Sequence, residues 1–148
     1  MPGPTQINDR ISVAGQIELG ELADLAKTGF ATIINNRPDG EEPGQPDHAT
    51  VEAAARKLGL EYRYVPVTTG AITRKDVAAF QNALLRAPQP ALAHCRSGTR
   101  SYILWALTRV LYDGEAPLKL VAEAATKGYD LRVLPALVEK LEAEKGES

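Results

Sequence analysis

The segment that most restricts how this chain can fold is Ala91-Leu92-Ala93-His94, which follows Pro88 and Pro90. It is short and nearly all apolar, the pattern of a central strand in a parallel sheet with both faces covered. Such a strand needs neighbours, and the sequence supplies them. Ile11 to Val13 reads as a short strand, Ala31-Thr32-Ile33-Ile34-Asn35 as a β-branched apolar run, and Tyr62 to Val67 as a further strand.

Helical patterns alternate with these runs. Glu18 to Thr28 places Leu22, Leu25 and Ala26 on one side, with Gly29 to end it, and Asp47 caps a helix from His48 to Leu58 closed by Gly59. Thr73 and Asp76 open a helix to about Arg86, with Val77, Phe80, Leu84 and Leu85 predicted as its buried stripe. Ser101 to Tyr112 carries Ile103, Ala106, Leu107, Val110 and Leu111 on one face; two more helices follow, from about Pro117 to Lys127 and from Leu134 onward. Alternation of this kind predicts an α/β fold, a mostly parallel sheet flanked by helices. The 148 residues suit one domain, 1–148, with flexible ends at about 1–5 and 144–148. The tail helices offer a surface for a possible homodimer.

A net charge of −2 argues against a general polyanion-binding surface, hence against nucleic acid as a partner. No stretch reaches the roughly 20 apolar residues that a membrane span needs, and Met1-Pro2-Gly3-Pro4 lacks a signal-peptide pattern, so a cytoplasmic location is expected. One cysteine and two histidines, His48 and His94, exclude an internal disulfide and fall short of a structural zinc site; no metal or cofactor is expected. Cys95 is therefore buried ballast, an intermolecular partner or a reagent.

Its surroundings favour the reagent. His94-Cys95-Arg96-Ser97-Gly98-Thr99-Arg100-Ser101 runs from a strand end into a helix start, where ligands bind in open α/β sheets. Unpaired backbone N–H groups and the helix dipole favour an anion there. Gly98 permits backbone geometry that a side chain resists, and the planar fork of Arg100 suits an oxyanion. The same field lowers the titration of a cysteine below its ordinary value of roughly 8.5. Cys95 is thus the expected nucleophile, with Arg100 binding the anionic group and Arg96, Ser97, Gly98 and Thr99 forming the cradle. Ser101 either hydrogen-bonds the sulfur or caps the helix, and His94 is a positioning residue that bonds to the loop.

His-Cys-x-x-Gly-x-Arg-Ser resembles the signature of cysteine-dependent protein tyrosine phosphatases, but with Cys-x4-Arg where that family has Cys-x5-Arg. The shorter loop also looks like that of single-domain rhodaneses. Together with Ile33-Ile34-Asn35-Asn36-Arg37-Pro38-Asp39-Gly40-Glu41 and Tyr64-Val65-Pro66-Val67, it resembles the beta-lactamase-hydrolase-like phosphatase-like family over about residues 5 to 112. That resemblance implies a dual-specificity protein tyrosine phosphatase-like fold. It also implies a sulfur-metabolic context, since members occur fused to persulfide dioxygenases or sulfide:quinone oxidoreductases, which become possible pathway partners.

Two chemistries compete for a small anionic sulfur or phosphate substrate. A phosphatase generally needs a carboxylic acid to protonate its leaving oxygen. Thr68-Thr69-Gly70-Ala71-Ile72, where the resemblance would place it, has none. Asp39, Glu41 or Glu42 of the long loop would have to substitute, with Arg37 as a second cation or as one half of a surface salt bridge. A sulfurtransferase of rhodanese type needs no acid: Cys95 takes sulfane sulfur from thiosulfate or a persulfide and passes it to a thiol or cyanide. The sequence balance favours sulfur transfer, with a cysteine-dependent phosphatase as the alternative and a non-catalytic oxyanion-binding module as the third reading.

Overall fold

The computed structural model describes residues 3–145. Its sheet has five strands: β1 (Thr5–Gln6), β2 (Ile11–Ala14), β3 (Thr32–Asn35), β4 (Glu61–Tyr64) and β5 (Ala91–His94). They lie in the order β1-β2-β5-β3-β4, with β1 antiparallel to β2 and all other pairs parallel. The predicted central strand is β5, flanked by β2 and β3 and buried along its whole length.

Six α-helices cover the sheet. They are α1 (Leu22–Thr28, preceded by a 3₁₀ turn at Leu19–Glu21), α2 (His48–Lys57), α3 (Arg74–Arg86), α4 (Thr99–Asp113), α5 (Pro117–Thr126) and α6 (Leu134–Lys145). Successive strand side chains point to opposite faces. Ile33, Leu92 and Tyr62 accordingly pack on Leu22, Leu25, Val51 and Ala55 of α1 and α2, whereas Ile34, Ala91 and Ala93 pack among α3 to α6. Two separate cores result, one on each face.

Local signals set the element ends. Asp47 accepts a hydrogen bond from Thr50 N–H, and Thr73 with Asp76 forms a reciprocal capping box at the start of α3. Gly29 and Gly114 adopt positive φ where α1 and α4 stop.

Three expectations need correction. The stripe of α3 is Val77, Phe80 and Ala83; Leu84 is only half-buried and Leu85 is 68% exposed, because the helix turns its 3.6-residue period past Leu85. The strand predicted for Tyr62 to Val67 ends at Tyr64, before Pro66, which has no N–H to give to a ladder. Thr5, placed in a flexible end, pairs with Val13, and α6 runs through Lys145; residues 1, 2 and 146–148 lie outside the described residues.

Register positions the site. Ala14, His94 and Asn35 are mutual partners across β2, β5 and β3, and Asn35 pairs with Tyr64 on β4. Four parallel strands therefore finish level, and the chain segments that leave them, from Gly15, Cys95, Asn36 and Val65, converge at one edge.

Candidate active site

Cys95 leaves β5 with its N–H donated to Ala14 O at 3.3 Å. The loop then doubles back, so that Gly98 N–H donates to Cys95 Sγ at 3.0 Å. Gly98 has φ 94° and is the residue before the first turn of α4. A Cβ there would lie 2.6 Å from Tyr129 Oη, so both the backbone angle and the space demand glycine. The opposite side of the loop rests on the segment that follows β2: Gln16 N–H donates to Arg96 O, and a Cβ on Gly15 would come within 3.1 Å of that same oxygen.

Above the sulfur lies a cavity of about 680 Å³. Cys95, Arg96, Ser97, Thr99 and Arg100 form its polar floor, and Ile72, Ile103, Val133 and Leu137 its apolar wall. Thr68, Thr69 and Gly70 complete the rim, and Glu41 is the one carboxylate among the lining residues. The last helix thus contributes to the cavity, through Val133 just before α6 and Leu137 within it.

Arg100 is held firmly. Its Nη1 donates to Val67 O at 2.9 Å, Asn36 O at 3.4 Å and Glu41 Oε2 at 3.1 Å, while Nη2 donates to Glu41 Oε1 at 3.2 Å. Its buried Nε has no hydrogen-bond partner. Arg96 is by contrast a loose cation, 70% exposed and 3.7 Å from Glu42. Ser97 Oγ lies 3.4 Å from Thr99 Oγ1 at the mouth.

Glu41 is shared. Its Oε1 also accepts from Arg37 Nε at 2.9 Å. Burial pushes the Glu41 carboxyl upward, but hydrogen bonds from Arg100 and then Arg37 outweigh it and hold the group below the ordinary carboxylate range. It is ionised at neutral pH, and a carboxylate has no proton to give a leaving group.

The structure moves four sequence-predicted residues out of their expected roles. Arg37 is neither a cation facing the cavity nor part of a surface salt bridge: it is 1% exposed, behind Glu41, with Nη1 on Gln16 Oε1 and Nη2 on Glu42. Asp39 points away; its carboxylate accepts from His48 N–H and meets the His48 ring, satisfying a free amide at the start of α2. Ser101 neither caps α4, which begins at Thr99, nor meets the sulfur; its hydroxyl donates to Asn36 Oδ1 at 2.8 Å. His94 is buried with no hydrogen-bond partner for either ring nitrogen, and burial pushes its imidazole down to about 4. Its backbone carbonyl, not its ring, accepts from Asn36 N–H.

Asn36 is the residue that sequence reasoning underrated. Fully buried, it also donates through Nδ2 to Val65 O, fastening the ends of β3, β4 and β5 to α4. An asparagine directly after an apolar strand is the available signal, since a buried amide must find partners. Tyr129, Val133 and Leu137 reach the site from 30 residues or more beyond the loop and leave no local trace. Tyr102 and Trp105, next to the loop in sequence, are core. Among the described residues no group of three or more metal-ligating side chains occurs, and no helix is long and apolar enough to cross a membrane.

Comparison with known proteins matches residues 5–112 to a family described as beta-lactamase hydrolase-like protein, phosphatase-like domain. The Xylella fastidiosa beta-lactamase hydrolase-like protein is 42% identical over 125 residues, which cover 84% of this chain but 29% of that protein. A candidate phosphatase of Neisseria meningitidis superposes with a TM-score of 0.82 at 29% identity, covering 93% of this chain and 96% of its own. Tk-PTP, at 18% identity and a TM-score of 0.72, covers 94% of this chain and 95% of its own, and shares the fold. The matched family and the Neisseria protein are described as phosphatase-like or phosphatase, and none of these proteins is described as a sulfurtransferase.

Proposed function

The chain belongs to the beta-lactamase hydrolase-like protein, phosphatase-like domain family, and from that premise we propose that it is a cysteine-dependent phosphohydrolase. The observation that carries the reading is the Gly98 N–H on Cys95 Sγ at 3.0 Å, at the foot of a loop that feeds α4 beside Arg100. A donor on the sulfur fixes the nucleophile at the foot of the cavity, and the loop amides and guanidinium favour negative charge on the group attacked. Cys95 Sγ forms a bond to phosphorus as the P–O bond to the leaving group breaks. Water then cleaves the phosphocysteine, releasing inorganic phosphate and restoring the thiolate.

The ionised Glu41 restricts this chemistry. With no protonated acid over the floor, the leaving oxygen must depart unaided, which suits aryl phosphates and other esters of acidic alcohols. The chain spans 29% of the length of its Xylella relative, so any activity of a longer protein would be a separate matter.

The same observation favours a second reading, sulfane-sulfur transfer. The Cys95 thiolate attacks the outer sulfur of thiosulfate or a persulfide, sulfite or a thiolate leaves without a proton, and an acceptor thiolate or cyanide removes the sulfur from the Cys95 persulfide. Persulfide dioxygenase or sulfide:quinone oxidoreductase activities would neighbour it.

One experiment separates the readings. Phosphate release from an aryl phosphate is measured beside intact mass after brief exposure to thiosulfate or glutathione persulfide, for wild type and Cys95→Ser. Phosphate release lost in the variant, with no added sulfur, is the expected result. A gain of one sulfur on wild type, discharged by cyanide, with no phosphate release, would replace hydrolysis by sulfur transfer. Activity surviving Cys95→Ser would remove both.

A further inference from the structure

We propose that Glu41 is the specificity-determining residue of the cavity, a resident carboxylate that excludes singly charged carboxylates and admits only anions able to take Arg100 from it. The proposal deepens the phosphohydrolase reading. Glu41 holds both terminal nitrogens of the Arg100 guanidinium, at 3.1 and 3.2 Å, in the two-toothed arrangement that carboxylates and tetrahedral oxyanions share. It does so within the cavity wall, with its own side chain 24% exposed and that of Arg100 10% exposed. Any anion that uses this terminal pair of nitrogens must displace it.

The displacement is a competition between an intramolecular and a free ligand. A tethered group acts at an effective concentration of about millimolar or more, so a free monocarboxylate, offering the same two oxygens and the same charge, gains nothing by exchange. A sulfate or phosphoryl dianion offers a further oxygen to the loop amides and a second charge to the exposed Arg96, and can win. Glu41 itself need not be stranded on release, because Arg37 Nε already holds its Oε1 at 2.9 Å and remains in place. Arg37 in turn is tied to Gln16 and Glu42. The second arginine therefore makes the exchange reversible: it receives the carboxylate that the anion expels.

The test is equilibrium binding of sodium sulfate and sodium acetate, by calorimetry, to the 148-residue chain carrying Cys95→Ser so that no turnover intervenes. With Glu41 present, sulfate binds and acetate does not compete. Adding Glu41→Gln removes the resident charge, and acetate affinity is expected to rise on the order of tenfold or more, with a narrowed sulfate-to-acetate ratio. Glu42→Gln removes a nearby charge that touches Arg37 and Arg96 but not Arg100, and should leave acetate affinity unchanged whatever it does to sulfate through Arg96. Three results would each overturn the proposal: an unchanged ratio in Glu41→Gln, a loss of both affinities there, which would make Glu41 a prop for Arg100, or an equal effect of Glu42→Gln, which would reduce the effect to net charge. None of these readouts needs phosphatase activity, so a failed phosphate-release assay leaves the binding result intact.

Discussion

Replacing Gly98 by alanine perturbs the loop in two ways that can be separated. At φ 94° an L-residue is strained by roughly 1–2 kcal/mol. The new Cβ would also stand 2.6 Å from Tyr129 Oη, 3.1 Å from Cε1 and 3.2 Å from Cζ. Tyr129 has little room to retreat, since its ring packs on Tyr102 at 5.2 Å and its N–H is bonded to Ala124 O. Overpacking of this kind costs about 1–3 kcal/mol. The sum, about 3 kcal/mol, leaves a domain of ordinary stability folded but lowers its Tm by about 6–12 °C. Urea unfolding and thermal melts of wild type, Gly98→Ala, Tyr129→Phe and the double variant measure it. Tyr129→Phe should restore on the order of 1 kcal/mol to Gly98→Ala by removing the nearest atom, and none of the dihedral strain. Stability of Gly98→Ala within about 0.5 kcal/mol of wild type, or a cycle with no coupling, would refute the reasoning.

Asn36→Ala should cost about 2–5 kcal/mol, because it strands the Ser101 hydroxyl and the Val65 carbonyl in the interior; the double variant with Ser101→Ala should cost less than the sum, both read by urea titration. His94 predicts a pH dependence. Its native imidazole titrates at about 4, below the unfolded value of 6.5, so between those limits the unfolded chain binds more protons and stability falls as pH falls. From pH 7 to pH 5 the wild type should lose about 2 kcal/mol that His94→Phe retains, in a range above that where the depressed carboxylates Glu41, Glu42 and Glu115 lose theirs. An equal loss of urea-derived stability in the two proteins between pH 7 and pH 5 would disprove the assignment.

The parts of the site that could be read from sequence were those encoded locally. A four-residue apolar strand running into Cys-Arg-Ser-Gly-Thr-Arg has few places to go, and the caps at Asp47 and Thr73 act over three residues. What escaped depended on contacts far apart in the chain. Arg37 sits in a loop whose composition reads as solvated surface, yet it is among the most buried side chains because Glu41 and Glu42 neutralise it and Gln16 accepts a hydrogen bond from it. Asp39 lies between Arg37 and Glu41 in sequence and faces the other way, since the free amide of His48 competes for it. Ser101 was drawn from the sulfur by Asn36, 65 residues earlier. Composition gives no view of such choices, because each polar group had several chemically equivalent partners.

The level ending of β2, β5 and β3 has a dynamic consequence. The amide of Cys95 is bonded to the end of β2, and the carbonyl of His94 receives Asn36 N–H from the end of β3, so the nucleophile is stitched to both inner neighbours of the central strand. Amides so placed exchange with deuterated solvent only in the rare openings that unravel the sheet itself. Cys95 should therefore show the slow exchange of Ile34 and Leu92, while Thr68 to Gly70 across the cavity exchange freely. On that expectation the thiol belongs to the last unit of the molecule to melt, and any adjustment to different substrates falls to the opposite wall.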